Sequence, residues 1–267
     1  MERIYVVDAS AVQIQPDWKK VVSHDPGAAF GVPPGRIRGC IAKASEGPRG
    51  IDPETRLHLD GAREQGLAVG IYHFARAGRG PAREQADHVV GLGLGVGDDP
   101  GEMPVWLDCE EQGISDRLGG DSAYVDWILA WCERVQEQGH RAGIYSAQVY
   151  LPEWKDGGRV RELARYPLWV AQYSRTGAWA PRPGQGPKSL FPWQSWALWQ
   201  FSGGGPGLPG NTVPGFGEGN FVDLNLVADD AAWRLLLGTE PVEPNEEPGP
   251  IVRPKVPLGR PALDGDA

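Results

Sequence analysis

Asp108 and Glu110 close the run Pro104-Val105-Trp106-Leu107-Asp108-Cys109-Glu110-Glu111, and their types and spacing suit acid–base chemistry. Val105, Trp106 and Leu107 read as a buried strand, because β-branched and aromatic side chains fit a pleated surface. Side chains alternate along a strand, so Asp108 and Glu110 share one face with Cβ atoms roughly 6–7 Å apart, while Cys109 points into packing. Two carboxyls this close cannot ionise with equal ease, and one keeps its proton to higher pH. A general acid working near neutrality needs that property. A strand running out into a solvated acidic loop would carry the same tripeptide, with Glu111 simply solvated, so the surrounding elements must decide.

Those elements alternate. Apolar, strand-like runs occupy residues 4–7, 39–44, 67–74, 105–107, 142–146, 168–173, 197–201 and 221–225. Helical patterns fall at 53–65 and 81–92, each opened by proline, near 158–165, and at about 229–237. Residues 121–138 place Tyr124, Val125, Ile128, Trp131, Cys132 and Val135 on one helical face. Asp121 or Ser122 suits the N-cap there and Gly139 the stop. Gln13, Gln15, Asp17 and Trp18 read as loop, as do the Gly/Pro-rich stretches 23–36, 93–101, 177–192 and 203–219.

The first five strands are linked by helices or helix-length connections and the last three mostly by loops. Such alternation predicts a mainly parallel α/β sheet. Eight strands suggest closure into a barrel, with functional side chains at the C-terminal strand ends. Asp8, Tyr72, Asp108, Glu110, Tyr145, Tyr173, Gln200 and Asp223 all fall in or just after these runs. Lys43 interrupts an apolar run, where an unpaired charge is expensive, and is expected to face acids inside the barrel.

With 267 residues and 40% hydrophobic content, the chain can build one large barrel domain over 1–238. Residues 239–267 hold seven Pro and six acids with few large apolar side chains. They are expected to form an extended tail or linker. Eleven Trp exceed what the core alone would ask for and suit stacking on sugar rings, though filling the core is the ordinary use. A net charge of −9 argues against a nucleic-acid surface. Cys40, Cys109 and Cys132 show no zinc spacing and read as buried free thiols of a reducing compartment. The N-terminus is already strand-like, with no signal-peptide pattern, and no apolar run is long enough to span a membrane.

Taken in order, the motifs resemble the family 25 glycoside hydrolases, the muramidases or lysozymes of phage endolysins and bacterial autolysins. The matching pieces are Val7-Asp8-Ala9-Ser10 with Gln13 and Asp17-Trp18, Ile41-Ala42-Lys43-Ala44-Ser45-Glu46-Gly47, and Gly70-Ile71-Tyr72-His73-Phe74-Ala75-Arg76. They continue with Val105-Trp106-Leu107-Asp108-Cys109-Glu110, Gly143-Ile144-Tyr145-Ser146, Leu168-Trp169-Val170-Ala171-Gln172-Tyr173, Leu198-Trp199-Gln200-Phe201-Ser202 and Val222-Asp223-Leu224-Asn225. Each piece is weak alone; eight in one order, spanning about residues 4–227, are specific. The segments 18–39, 177–192 and 203–219 look enlarged.

The resemblance implies a flattened, TIM-like barrel of the (β/α)5(β)3 kind, the pattern the element count also gives. It implies cleavage of the β-1,4 bond between N-acetylmuramic acid and N-acetylglucosamine in peptidoglycan, with Glu110 mapping to the acid. Asp108, Asp8 and Asp223 map to the accompanying aspartates. Asp108 would orient the substrate's N-acetyl group or stabilise the sugar cation directly. Asp8 and Asp223 could instead be structural partners of Lys43 or of backbone N–H groups. Tyr72 could donate to the N-acetyl group, and Tyr145, Tyr173, Trp169 and Trp199 could stack on sugars or fill the core. Gln200 and Lys43 complete the expected substrate-binding set, and His73 reads as packing.

No cofactor or metal is expected, and the partner is the peptidoglycan glycan strand, met as a monomer. The expected location is the bacterial cell wall, reached by holin-type release or by a secretion or phage apparatus. Rival readings are a barrel that binds glycan without cutting it, and a lysozyme domain serving a phage tail or secretion assembly. A chitinase-like enzyme would show D-x-x-D-x-D-x-E, which this strand lacks.

Overall fold

The computed structural model describes residues 2–27, 34–150, 159–173, 186–188, 190–203, 213–216 and 221–239. The expected tail beyond Thr239 and most of the two late Gly/Pro-rich segments lie outside these residues.

Eight strands close into a barrel: β1 (Arg3–Ala9), β2 (Gly35–Glu46), β4 (Ala68–Phe74), β5 (Val105–Asp108), β6 (Ala142–Ala147), β7 (Leu168–Ala171), β8 (Leu198–Ser202) and β9 (Asp223–Val227). A two-residue strand, β3 (Gly50–Ile51), folds back on the end of β2 as a hairpin. Pairing is parallel from β1 through β8. β9 runs antiparallel to both neighbours and joins β8 to β1. Asp223 therefore reaches the mouth from the start of its strand, whereas the other functional positions come from C-terminal ends. In the β1–β9 ladder it sits opposite Asp8.

Both faces of the barrel strands are buried through their central residues. Val6, Ile41, Trp106, Tyr145, Trp169 and Leu198 belong to one apolar cluster, the barrel interior. Val7, Cys40, Leu107, Ile144, Val170 and Trp199 belong to a second, packed on the helices. Gly143 makes room inside: a Cβ there would lie 2.4 Å from the Trp106 ring. The three cysteines are free and buried.

The helices are α1 (Trp18–Ser23), α2 (Thr55–Glu64), α3 (Ala82–Val90), α4 (Ile114–Leu118), α5 (Asp121–Glu137) and α6 (Asp230–Leu236), with a 3₁₀ turn at Arg159–Arg165. Asp17 and Trp18 read as loop in the sequence, yet Trp18 opens α1 and Asp17 caps it by accepting the Lys20 N–H. α5 presents the expected apolar face, but Gly120 takes its N-cap position and Asp121 lies in the first turn. Gly139 ends it at φ +87°, a conformation glycine tolerates best. Arg141 ties the floor together, donating to the Leu236 carbonyl at 2.7 Å and to the carbonyl of Glu102.

Candidate active site

The mouth of the barrel gathers Asp8 from β1, Lys43 from β2, Tyr72 from β4 and Asp108 from β5, with Glu110 just beyond. Tyr145 comes from β6, Gln200 from β8 and Asp223 from β9, and Tyr173 follows β7. Gln200 is the hub. Its amide nitrogen donates to Asp8 Oδ2 at 2.9 Å and Asp223 Oδ2 at 3.3 Å. Its amide oxygen accepts from Tyr145 at 2.8 Å and from Tyr173. Asn225 is the second anchor: it donates to Asp8 Oδ2 at 2.7 Å and to the Val6 carbonyl, and accepts from Trp169 Nε1 at 2.6 Å. Every polar atom of that amide is thereby used. Asn225 belongs to a recognised motif, but nothing in the sequence marked it as the partner of Asp8.

The acids are not equally well served. Asp8 is buried and pushed up to about 6 by desolvation, with the Asn225 and Gln200 hydrogen bonds working against the rise. Asp108 is also buried, and its Oδ1 has no hydrogen-bond partner among the described residues. Burial, then the neighbouring Glu110 charge, pushes its carboxyl well above the usual range, against the pull of Lys43. Burial raises Glu110 too. Desolvation leads in each case, whereas the D-x-E spacing alone points to carboxylate repulsion.

Tyr145 Oη lies 2.8 Å from Gln200 Oε1 and 3.3 Å from Glu110 Oε1. A phenol has one proton to give. Given to Gln200, it leaves the phenol oxygen free to accept the proton of Glu110; given to Glu110, it supports the carboxylate. Burial holds the hydroxyls of Tyr72, Tyr145 and Tyr173 above their ordinary range, so they remain neutral donors.

Lys43 lies at the rim and pairs with Glu46 at 2.9 Å; Arg76 holds the other oxygen of Glu46 at 2.7 Å. Lys43 thus faces an acid, but neither Asp8 nor Asp223 is its ion-pair partner. Glu46 and Arg76 are rim residues that the sequence showed only as motif members. Trp169 departs from the stacking expectation: its ring is buried in the floor against Trp106 and Tyr145. Trp199 is buried on the helix side, where it packs on Trp196 and Phe201. Tyr173, at 40% exposure, does present a ring to solvent. His73 is fully buried outside the barrel.

The family model described as glycosyl hydrolases family 25 matches residues 7–207, three quarters of the chain. The chain belongs to this family. Lysozyme M1 of Streptomyces globisporus is 26% identical over 194 residues, 71% of this chain and 63% of that protein. The uncharacterized protein YegX of Escherichia coli is 27% identical over 172 residues, 64% of this chain. The matched stretch spans only 56% of the length of YegX. A bacterial lysozyme from Streptomyces coelicolor superposes with a TM-score of 0.66 at 24% identity, covering 88% of this chain and 96% of that one. That likeness establishes the family 25 barrel as the fold here.

Among the described residues, no group of three or more His, Cys, Asp or Glu is arranged to hold a metal ion. No helix among them is long and apolar enough to cross a membrane.

Proposed function

We propose that this family 25 chain is a peptidoglycan hydrolase cutting the β-1,4 bond between N-acetylmuramic acid and N-acetylglucosamine, and that its place of action is the bacterial cell wall. The observation carrying this reading is the Asp108–Glu110 pair, two carboxyls raised by burial at the mouth of a family 25 barrel. Glu110 gives its proton to the glycosidic oxygen as the bond breaks. Asp108 meets the positive charge developing at the anomeric carbon by taking the substrate's N-acetyl N–H on its unpartnered Oδ1, which aligns the acetamido oxygen for attack on that carbon. A donor arriving at Oδ1 favours ionised Asp108 and leaves the shared proton on Glu110. Water then adds to the anomeric carbon, and Glu110, now ionised, takes back a proton. Tyr145 serves both states of Glu110 by turning its single O–H.

Asp8 and Asp223 are held by the Gln200 amide, which fixes the shape of the mouth; Tyr72 offers a neutral donor to sugar, and Tyr173, whose O–H serves Gln200, offers its ring. The test is to digest purified peptidoglycan, reduce the products and identify the new ends by mass spectrometry. Muramitol ends are expected. Glucosaminitol ends would reassign the bond, and glycan capture without new ends would favour a binding barrel.

A further inference from the structure

A second cavity, about 380 Å³ in volume, opens at the β2–β3 hairpin beside the mouth. Its walls include Lys43, Glu46, Arg49, Ile51, Asp52 and Arg79. Lys43 links it to the mouth, since it sits beside Tyr72 in the β2–β4 ladder and its charge acts on Asp108. The two acids of this cavity are already committed. Glu46 holds Lys43 and Arg76, and Asp52 accepts the N–H groups of Ala11 and Glu54 at 2.9 and 3.0 Å. Arg49 and Arg79 are exposed, and neither has an acidic partner among the described residues. Through Asp52 the hairpin is tied to the loop after β1, which carries the exposed side chains Val12 and Ile14; Ile51 is exposed on the hairpin itself.

An acidic mouth thus adjoins a cavity with two spare guanidinium groups and an apolar edge, in a chain of net charge −9. The ligand this fits is neutral at the point of cleavage and carries anionic and methyl-bearing substituents a few ångströms away. Muramic acid has that form: its lactyl ether bears a short peptide with alanine methyls and free carboxylates. Guanidinium groups match carboxylates with paired, charge-assisted hydrogen bonds.

We propose that this cavity holds the stem peptide of the muramic acid residue at the scissile bond, with Arg49 and Arg79 pairing its carboxylates and Ile51 and Val12 covering its methyl groups. This rests on the peptidoglycan-hydrolase reading above and adds a substrate requirement to it.

The test compares glycan strands bearing stem peptides with the same strands stripped by an amidase, both first freed of phosphate-containing wall polymers. Wild type should favour the peptide-bearing strand through a lower KM. The Arg49→Ala/Arg79→Ala double variant should lose about tenfold of that preference, the size of one or two charge-assisted contacts. Arg49→Lys/Arg79→Lys should retain part of it. An equal preference in wild type and the alanine pair, or none in wild type, overturns the proposal while leaving the hydrolase intact. An arginine effect seen only on walls that keep their phosphate polymers overturns it in favour of phosphate. A second arm needs no turnover: muramyl dipeptide is titrated into Glu110→Gln with and without the alanine pair. Binding weakened by about tenfold supports the site, and equal binding overturns it. Failure of wild type to cut either strand would instead count against the hydrolase reading.

Discussion

Two buried polar clusters among the described residues adjoin at β4, where His73 follows Tyr72 of the mouth, and they are built on opposite terms. Outside the barrel, Ser45 Oγ lies 2.8 Å from His73 Nδ1, and His73 Nε2 lies 3.0 Å from Gln85 Oε1. Gln85 in turn donates to the Arg76 carbonyl at 2.8 Å, and Trp131 stacks on the imidazole. The Gln85 oxygen can only accept, so the His73 proton sits on Nε2 and Ser45 donates to Nδ1. The polar groups of Ser45, His73 and Gln85 are satisfied while uncharged, all three side chains are sealed from solvent, and burial drives His73 down to about 4. Inside the mouth, Asp108 is as deeply placed but keeps an oxygen without a donor, and Glu110 shares the single proton of a tyrosine. A Ser–His pair resembles catalytic equipment, yet here it is a completed knot. The incomplete cluster is the one with capacity left for a ligand.

The strongest way to break this contrast is Asp108→Asn. It keeps the shape but removes the charge that Oδ1 presents, and turnover on peptidoglycan should fall by about two to four powers of ten, read by reducing-end release. Unchanged turnover would mean the orphaned oxygen is incidental. His73→Ala is the converse test. It strands Ser45 and Gln85 and opens a gap against Trp131, so urea unfolding should show a loss of about 3 kcal/mol. The rate per folded molecule should change little; a large fall in rate would join the knot to the chemistry.

The clusters also predict opposite pH slopes. Asp8 rises from 3.8 in the unfolded chain to about 6 when folded, so the native state binds the extra proton. Its contribution of about 3 kcal/mol is present below pH 4 and lost as pH climbs through 6. His73 falls from 6.5 to about 4, so the unfolded state binds the extra proton. Its contribution of about 3 kcal/mol is present above pH 6.5 and lost as pH drops through 4. The two nearly offset each other. Unfolding free energies at pH 4 and 6.5 should rise more steeply with pH in Asp8→Asn than in wild type, and less steeply in His73→Gln. Parallel curves would contradict both assignments. The smallest effect belongs to Tyr145→Phe, which removes a donor from ionised Glu110. The pH–rate profile should move upward by about one pH unit or less; a downward shift would show that the phenol mainly serves the protonated form.

The strand runs, the alternation and the Asp108–Glu110 pair were legible because period-2 patterning and strand-end acids are local signals. What escaped was set by the far side of the fold. Patterning gives two faces to a strand, but in a barrel both are buried, so Trp169 and Trp199 could not be told from sugar platforms. The reversed direction of β9 lies in a connection with no sequence signature, although it brings Asp223 opposite Asp8. Asn225 binds Asp8 across 217 positions, and Lys43 chooses Glu46 only because β2 runs on past its apolar core to the hairpin. Asp17 and Trp18 read as loop because α1 is too short for a periodic pattern to mark it.

The most direct test of the whole account is Glu110→Gln, assayed for reducing-end release from peptidoglycan alongside its thermal unfolding. The swap preserves size and hydrogen-bonding reach and removes the transferable proton. The account predicts that release stops while the unfolding midpoint stays level or rises, since a raised, desolvated carboxyl is being replaced by a neutral amide. Release at the wild-type rate from a folded Glu110→Gln protein would contradict it and move the acid elsewhere in the mouth.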